Sequence, residues 1–163
     1  MVRVILMAMS FIGIVNAGNL ENGTYTESFD NGNPKYEISY QNTKKHGQEI
    51  FWFESGNKKM ESHFVSGIEN GFWRQWHKNG KLKLEVMYEN GKENGLWQQW
   101  HDNGQKEFEA NWKNGEVVDG VVTFWDKEGD VTETETYKDG ELVSSNNRLF
   151  ENIFDKILDK IKL

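Results

Sequence analysis

Residues 71–94 read GFWRQWHKNGKLKLEVMYENGKEN, and residues 95–119 read GLWQQWHDNGQKEFEANWKNGEVVD, a near copy set directly after the first. The pattern extends both ways. Glycines at 23, 47, 71, 95 and 120 are each followed nine residues later by another, at 32, 56, 80, 104 and 129. Five copies at a period of 24 or 25 residues therefore fill most of the 163-residue chain. A fixed period of this size marks a stacked array in which each unit completes the buried surface of its neighbour.

Each copy holds two short segments separated by Asn-Gly. Asn79-Gly80 and Asn103-Gly104 lie between the segments, and Asn90-Gly91 and Asn114-Gly115 follow the second. Asn-Gly is a strong hairpin signal, because a type I′ turn needs positive φ at both central residues. The chain has eight such dipeptides, plus Asp119-Gly120 and Asp139-Gly140, and a single proline, Pro34. These features predict an all-β repeat domain over 18–146, an elongated antiparallel meander of about five β-hairpins.

The second segment alternates with the period of two of a half-buried strand. Leu82, Leu84, Val86 and Tyr88 fall on one side, and Lys83, Glu85, Met87 and Glu89 on the other. Tyr40, Phe64, Tyr88, Trp112 and Tyr137 close this strand in the five copies, so one face carries an aromatic spine. In the first segment Trp52, Trp76, Trp100 and Trp125 share one register, while Trp73 and Trp97 share another of opposite parity. The two tryptophan sets are expected on opposite faces, one joining the spine and the other open or covered.

The ends differ from the array. Arg3, the apolar run from Val4 to Val15, and Val15-Asn16-Ala17 have the layout of a secretory signal peptide over 1–17. About twelve apolar residues are short for a membrane span, which needs roughly 20; an uncleaved anchor is the rival reading. Export to the periplasm, cell surface or medium is the expected localisation. At the other end Leu149, Phe150, Ile153, Phe154, Ile157, Leu158 and Ile161 recur at helical spacing, predicting an amphipathic helix over 147–163 capped by Asn146 or Asn147. Such a helix could lie as a lid on the sheet or dock on a partner or membrane. The balanced charge of its polar side argues against strong lipid binding.

Composition narrows the function. Only 36% of residues are hydrophobic, yet 13% are aromatic, which suits thin sheets and exposed platforms. The net charge is -7, or -8 without Arg3, so nucleic acid is an unlikely partner for want of a basic face. With no cysteine there is neither a disulfide framework nor a thiolate metal site.

The unit G-x-W-x-x-W-x-x-N-G, followed by Glu and then Tyr-x-Asn-Gly-Lys, resembles the bacterial variant of the MORN (membrane occupation and recognition nexus) repeat found in YwqK-like proteins commonly labelled antitoxins. It is carried by Gly71, Trp73, Trp76, Asn79, Gly80, Glu85, Tyr88, Asn90, Gly91 and Lys92, and by Gly95, Trp97, Trp100, Asn103, Gly104, Glu109, Trp112, Asn114 and Gly115. The resemblance implies a gently twisted sheet of successive hairpins and a role in binding proteins or membrane surfaces. Outer copies depart from it: Thr43 replaces a glycine, Glu49 and Val122 replace the first Trp, and Thr134 replaces the Glu.

Catalytic chemistry is thin, and an enzyme is not expected. His77 and His101 are equivalent in adjacent copies, about 10 Å apart at two strand spacings. Two ligands of one zinc must approach within roughly 4 Å, so no metal site is expected and these histidines are read as solvated. Glu37, Glu61, Glu85 and Glu109 form a column opposite the spine, with Lys35, Lys59 and Lys83 two residues before three of them and Arg74 across a strand. Repetition makes their environments alike, whereas a catalytic acid/base pair needs unequal ones. A ladder of weak ion pairs is expected, and no cofactor. The candidate binding residues are Trp73, Trp97, Trp76, Trp100, Glu85 and Glu109, serving either a protein partner such as a basic toxin or a cell-wall glycan stacked on Trp73 and Trp97.

Overall fold

The computed structural model describes residues 21–147. The expected signal segment, 1–17, and all but the first residue of the expected helix lie outside the described residues. Strands β1 (Gly23–Ser28) and β2 (Pro34–Gln41) form the first hairpin, and β3 (Lys44–Trp52) and β4 (Lys58–Val65) the second. Short β5 (Ile68–Glu69) leads to the third, β6 (Gly71–Trp76) and β7 (Leu82–Glu89); β8 (Lys92–Glu93) leads to the fourth, β9 (Gly95–Trp100) and β10 (Lys106–Lys113). Next, β11 (Glu116–Val117) leads to the fifth, β12 (Gly120–Trp125) and β13 (Val131–Lys138), and β14 (Glu141–Asn147) closes the sheet. The order is a plain antiparallel meander, with β5, β8 and β11 folded back on the strand before each. Asn146 and Asn147 pair with Thr134 and Glu133 as the end of β14; the helix they are expected to cap lies outside the described residues.

Asn-Gly serves three purposes here, only one of them the expected turn. Asn90-Gly91 and Asn114-Gly115 have positive φ at both residues and form two-residue turns of the I′ kind, as do Asn42-Thr43, Ser66-Gly67 and Asp139-Gly140. In the loops between the two long strands only the glycine has positive φ. There Gly80 N donates to His77 O, and His77 N to Lys81 O, giving a longer loop. The side chain of Asn79 is otherwise engaged: its Oδ1 accepts from Lys81 N, and its Nδ2 donates to Asp102 O in the next copy. Gly71 and Gly95 use positive φ for a third purpose, starting a strand opposite an aromatic residue. The pairs Gly23 with Tyr40, Gly47 with Phe64, Gly71 with Tyr88, Gly95 with Trp112 and Gly120 with Tyr137 recur through the sheet.

Every hairpin also carries one extra residue. Gln75 pairs with Leu84 and Trp76 with Leu82, so Lys83 bulges out; Lys35, Lys59, Glu107 and Thr132 do the same in the other copies. The bulge changes which residues share a face. Leu82 pairs with Trp76 and leaves the spine, which begins at Leu84.

The core follows the spine face, with Ile38, Val86, Ala110 and Val122 in its middle row, Tyr36 and Leu84 to one side and Phe64 and Tyr137 to the other, while Ile50 is buried on the opposite face. Trp73 pairs with Val86, Trp97 with Ala110, and Val122 with Glu135. Val86 and Ala110 are almost fully buried, because each lies beside a tryptophan. The first two hairpins share five ladder pairs, but from the second onward the long strands of successive hairpins share only two, such as Met60 with Gln75 and Glu61 with Arg74. Side chains supply the rest of the join. Asn57, Asn79 and Asn103 donate to Lys78, Asp102 and Lys127 carbonyls, while His77 and His101 donate from Nε2 to the carbonyls of Trp100 and Trp125 at 2.7 and 2.9 Å. The two histidines expected to be solvated are therefore part-buried stitches between copies.

Candidate functional site

The sheet is one layer, and its two faces differ. On the spine face lie Trp73 and Trp97. Both are half-buried, and the Trp97 ring centroid is 5.3 Å from that of Trp112. Trp76, Trp100 and Trp125 are half-buried as well. The opposite face gathers Trp76, Trp100, Glu85 and Glu109, so four of the six expected site residues come together and two do not.

That opposite face is built of three parallel rows. The first holds Trp76, Trp100 and Trp125, with Lys58 Nζ 5.7 Å from the Trp76 ring centroid and Lys106 Nζ 5.6 Å from that of Trp125. The second is the charged row. Arg74 sits between two carboxylates, 2.6 Å from Glu85 and 3.8 Å from Glu61; Lys58 reaches Glu61 and Lys106 reaches Glu109, each at 2.6 Å. The ladder of ion pairs is present, but its lysines are three residues before the glutamates, not two. The bulge is the reason, since it carries the residue at that spacing onto the carboxylate side. Lys35 pairs instead with Glu27. Glu109 is held below the usual carboxylate range, first by its hydrogen bond from Lys106, then by one from Gln98, against partial burial.

The third row is apolar and was not singled out among the candidates. Phe72, Met87, Leu96 and Val121 are 45%, 37%, 40% and 57% exposed on this side. Phe72 pairs directly with Met87, and the Arg74 guanidinium lies 4.3 Å from the Phe72 ring centroid. The signal was available: Met87 alternates with Glu85, and Phe72 with Arg74, so both had to fall beside the charged column. Among the described residues no group of three or more metal-ligating side chains occurs.

The strand-turn-strand unit, the glycine opposite the aromatic and the closing I′ turn recur five times. Five segments of the chain match the family described as MORN repeat variant, residues 21–42, 45–66, 69–90, 93–114 and 118–139. The chain belongs to this MORN repeat variant family. Each MORN segment is one hairpin: it begins two residues before the strand-opening glycine and ends on the first residue of the I′ turn. No curated protein matches the chain. The third MORN copy has the full set of motif residues, the fourth departs from it only at Trp112 and Glu116, and the two carry the candidate face.

The second copy departs from the MORN pattern at its centre. Glu49 occupies the place of Trp73 and Trp97, yet is only 6% exposed, beside Ser62 at 2%. Its carboxylate accepts from Tyr36 Oη at 2.9 Å, Lys45 Nζ at 2.8 Å and Ser62 Oγ at 3.2 Å. A buried carboxylate is tolerable only when satisfied in this way. The neighbouring MORN loops also crowd acids together. Burial, then Glu49 and Glu93, push the Glu69 carboxyl above its usual range. Burial and Glu93 likewise push the Tyr88 phenol up, and burial with Glu135 pushes Tyr137 up to about 12.

The Glu69 shift has a testable sign. A carboxyl whose folded pKa is raised contributes stability below its unfolded value, and that contribution is lost as pH rises through the folded value. Glu69→Gln is therefore expected to raise the melting temperature at pH 7, with the gain fading as pH falls below the carboxylate range near 4. A gain that persists unchanged at pH 3, or a loss at pH 7, would contradict this assignment.

Proposed function

We propose that this MORN repeat variant chain is a bacterial, exported, non-catalytic binding module of the antitoxin or immunity type. Its binding surface for a protein partner is the face that carries Trp76, Trp100, Glu85 and Glu109. One observation supports the reading most: that face joins aromatic residues, an Arg-centred charged row and an exposed apolar row. Trp, Met and Arg are enriched in protein interfaces, and contiguous exposed apolar patches mark interaction sites. The described residues carry 14 basic and 23 acidic side chains, so the surrounding field favours a basic partner. Export rests on the signal-like residues 1–17. The antitoxin reading rests on the family resemblance.

The glycan reading drew on Trp73 and Trp97 as successive sugar platforms. Their place on the spine face favours the protein reading, although Trp76 and Trp100 stand on a face that none of the described residues covers. Affinity capture with residues 18–163 from a lysate that includes the envelope fraction separates the two. A single stoichiometric protein is the expected result. Retention only by cell-wall polysaccharide would replace the protein reading with the glycan one.

A further inference from the structure

The spine face holds a half-open groove of about 130 Å3 at its C-terminal end, lined by Trp97, Phe108, Trp112, Val122, Phe124 and Tyr137. Its walls are paired rings, Trp97 with Trp112 and Phe108 with Phe124, with centroids 5.3 and 5.2 Å apart. Two polar atoms in these walls lack what buried donors normally have. Trp97 Nε1 and Trp112 Nε1 are inaccessible to solvent and have no hydrogen-bond partner among the described residues. The volume suits one or two apolar side chains.

We propose that residues 148–163 of this chain fill the groove. The place where the described chain ends supports this occupant. Asn147 pairs with Glu133, which pairs in turn with Phe124, so the described chain ends two strands from a groove wall. Two strand spacings are about 10 Å, a gap that about three extended residues cross. Leu149 and Phe150 are the first apolar residues beyond that point, and Ile153, Phe154, Ile157 and Leu158 continue the stripe at helical spacing. Arg148, the next residue in the sequence, is opposite in charge to Glu135 on the groove lining. A tethered segment also meets the groove at an effective concentration of order mM, an advantage no free ligand shares.

The chain has no cysteine, so disulfide trapping in the full chain is unambiguous. Gln99, on the groove lining, is replaced as Gln99→Cys and paired in turn with Phe150→Cys, Ile153→Cys or Phe154→Cys on the apolar stripe, and with Asp155→Cys or Asp159→Cys as controls. At low micromolar protein, at least one stripe pair is expected to close within the molecule, at tenfold or greater yield over the controls. Indole N–H exchange gives a second readout on the cysteine-free chain. Phe150→Ser with Phe154→Ser should speed exchange at Trp97 and Trp112 tenfold or more and leave Trp76 unchanged. Pairs that close only between molecules would assign the groove to a second copy. Equal yields at stripe and control positions, or unchanged exchange, would likewise overturn the proposal.

Discussion

Gly71→Val is expected to lower the free energy of unfolding by about 3 to 5 kcal/mol, the sum of backbone strain and overpacking. Gly71 has φ of 118°, where a side chain is strained whatever the space around it. A Cβ there would also lie 3.2 Å from the His63 Cβ and 3.6 Å from its Cγ, so the His63 side chain would have to give way. Gly140→Ala is the control. Its φ is 76°, and an added Cβ meets nothing within 4 Å, so the left-handed conformation alone is charged, about 1 to 2 kcal/mol. Urea titration of both variants reads the difference. Equal losses would mean that the glycine opposite the aromatic is kept for backbone freedom alone and not for close approach.

The second large effect is at Glu49. Glu49→Ala should cost about 3 kcal/mol, because it leaves the buried Tyr36 and Ser62 hydroxyls without their acceptor and opens a cavity. At roughly 2 to 4 °C per kcal/mol for a chain of this size, the melting temperature should fall by about 6 to 12 °C. The neighbouring copies show what the site would otherwise hold. A triple change, Tyr36→Phe with Glu49→Trp and Ser62→Ala, rebuilds the Trp97 and Ala110 pairing and should return stability to within about 1.5 kcal/mol of the parent. If the triple variant were as unstable as Glu49→Ala, the second copy would need its polar centre for more than filled volume.

Much of this architecture was readable from the letters, because the period and the alternation leave few alternatives. Five hairpins, the aromatic spine and the opposition of the two tryptophan sets follow from spacing alone. Which set joins the spine did not follow. That depends on Val86 and Ala110, small residues that make room beside Trp73 and Trp97 and carry no mark of their own. The bulge was equally hidden, since Lys35, Lys59, Lys83, Glu107 and Thr132 share no residue type. Missing it displaced the lysine partners by one position and left Leu82 on the wrong side. The use of Asn79 depended on an acceptor in the next copy, Asp102 O, which no reading of one turn supplies. Repetition thus disclosed the fold within a copy, and the contacts between copies decided the chemistry of each face.

Binding through the candidate face is tested most directly by paired captures from the same lysate, one with residues 18–163 and one with the same chain carrying Glu85→Gln and Glu109→Gln. These changes keep shape and remove two carboxylates of the charged row, at sites where Arg74 and Lys106 are left to face the partner. A single protein held stoichiometrically by the parent and reduced tenfold or more on the variant, with both baits equally folded by circular dichroism, is the expected result. The same partner retained equally by both baits would contradict it and move the binding surface elsewhere on the sheet.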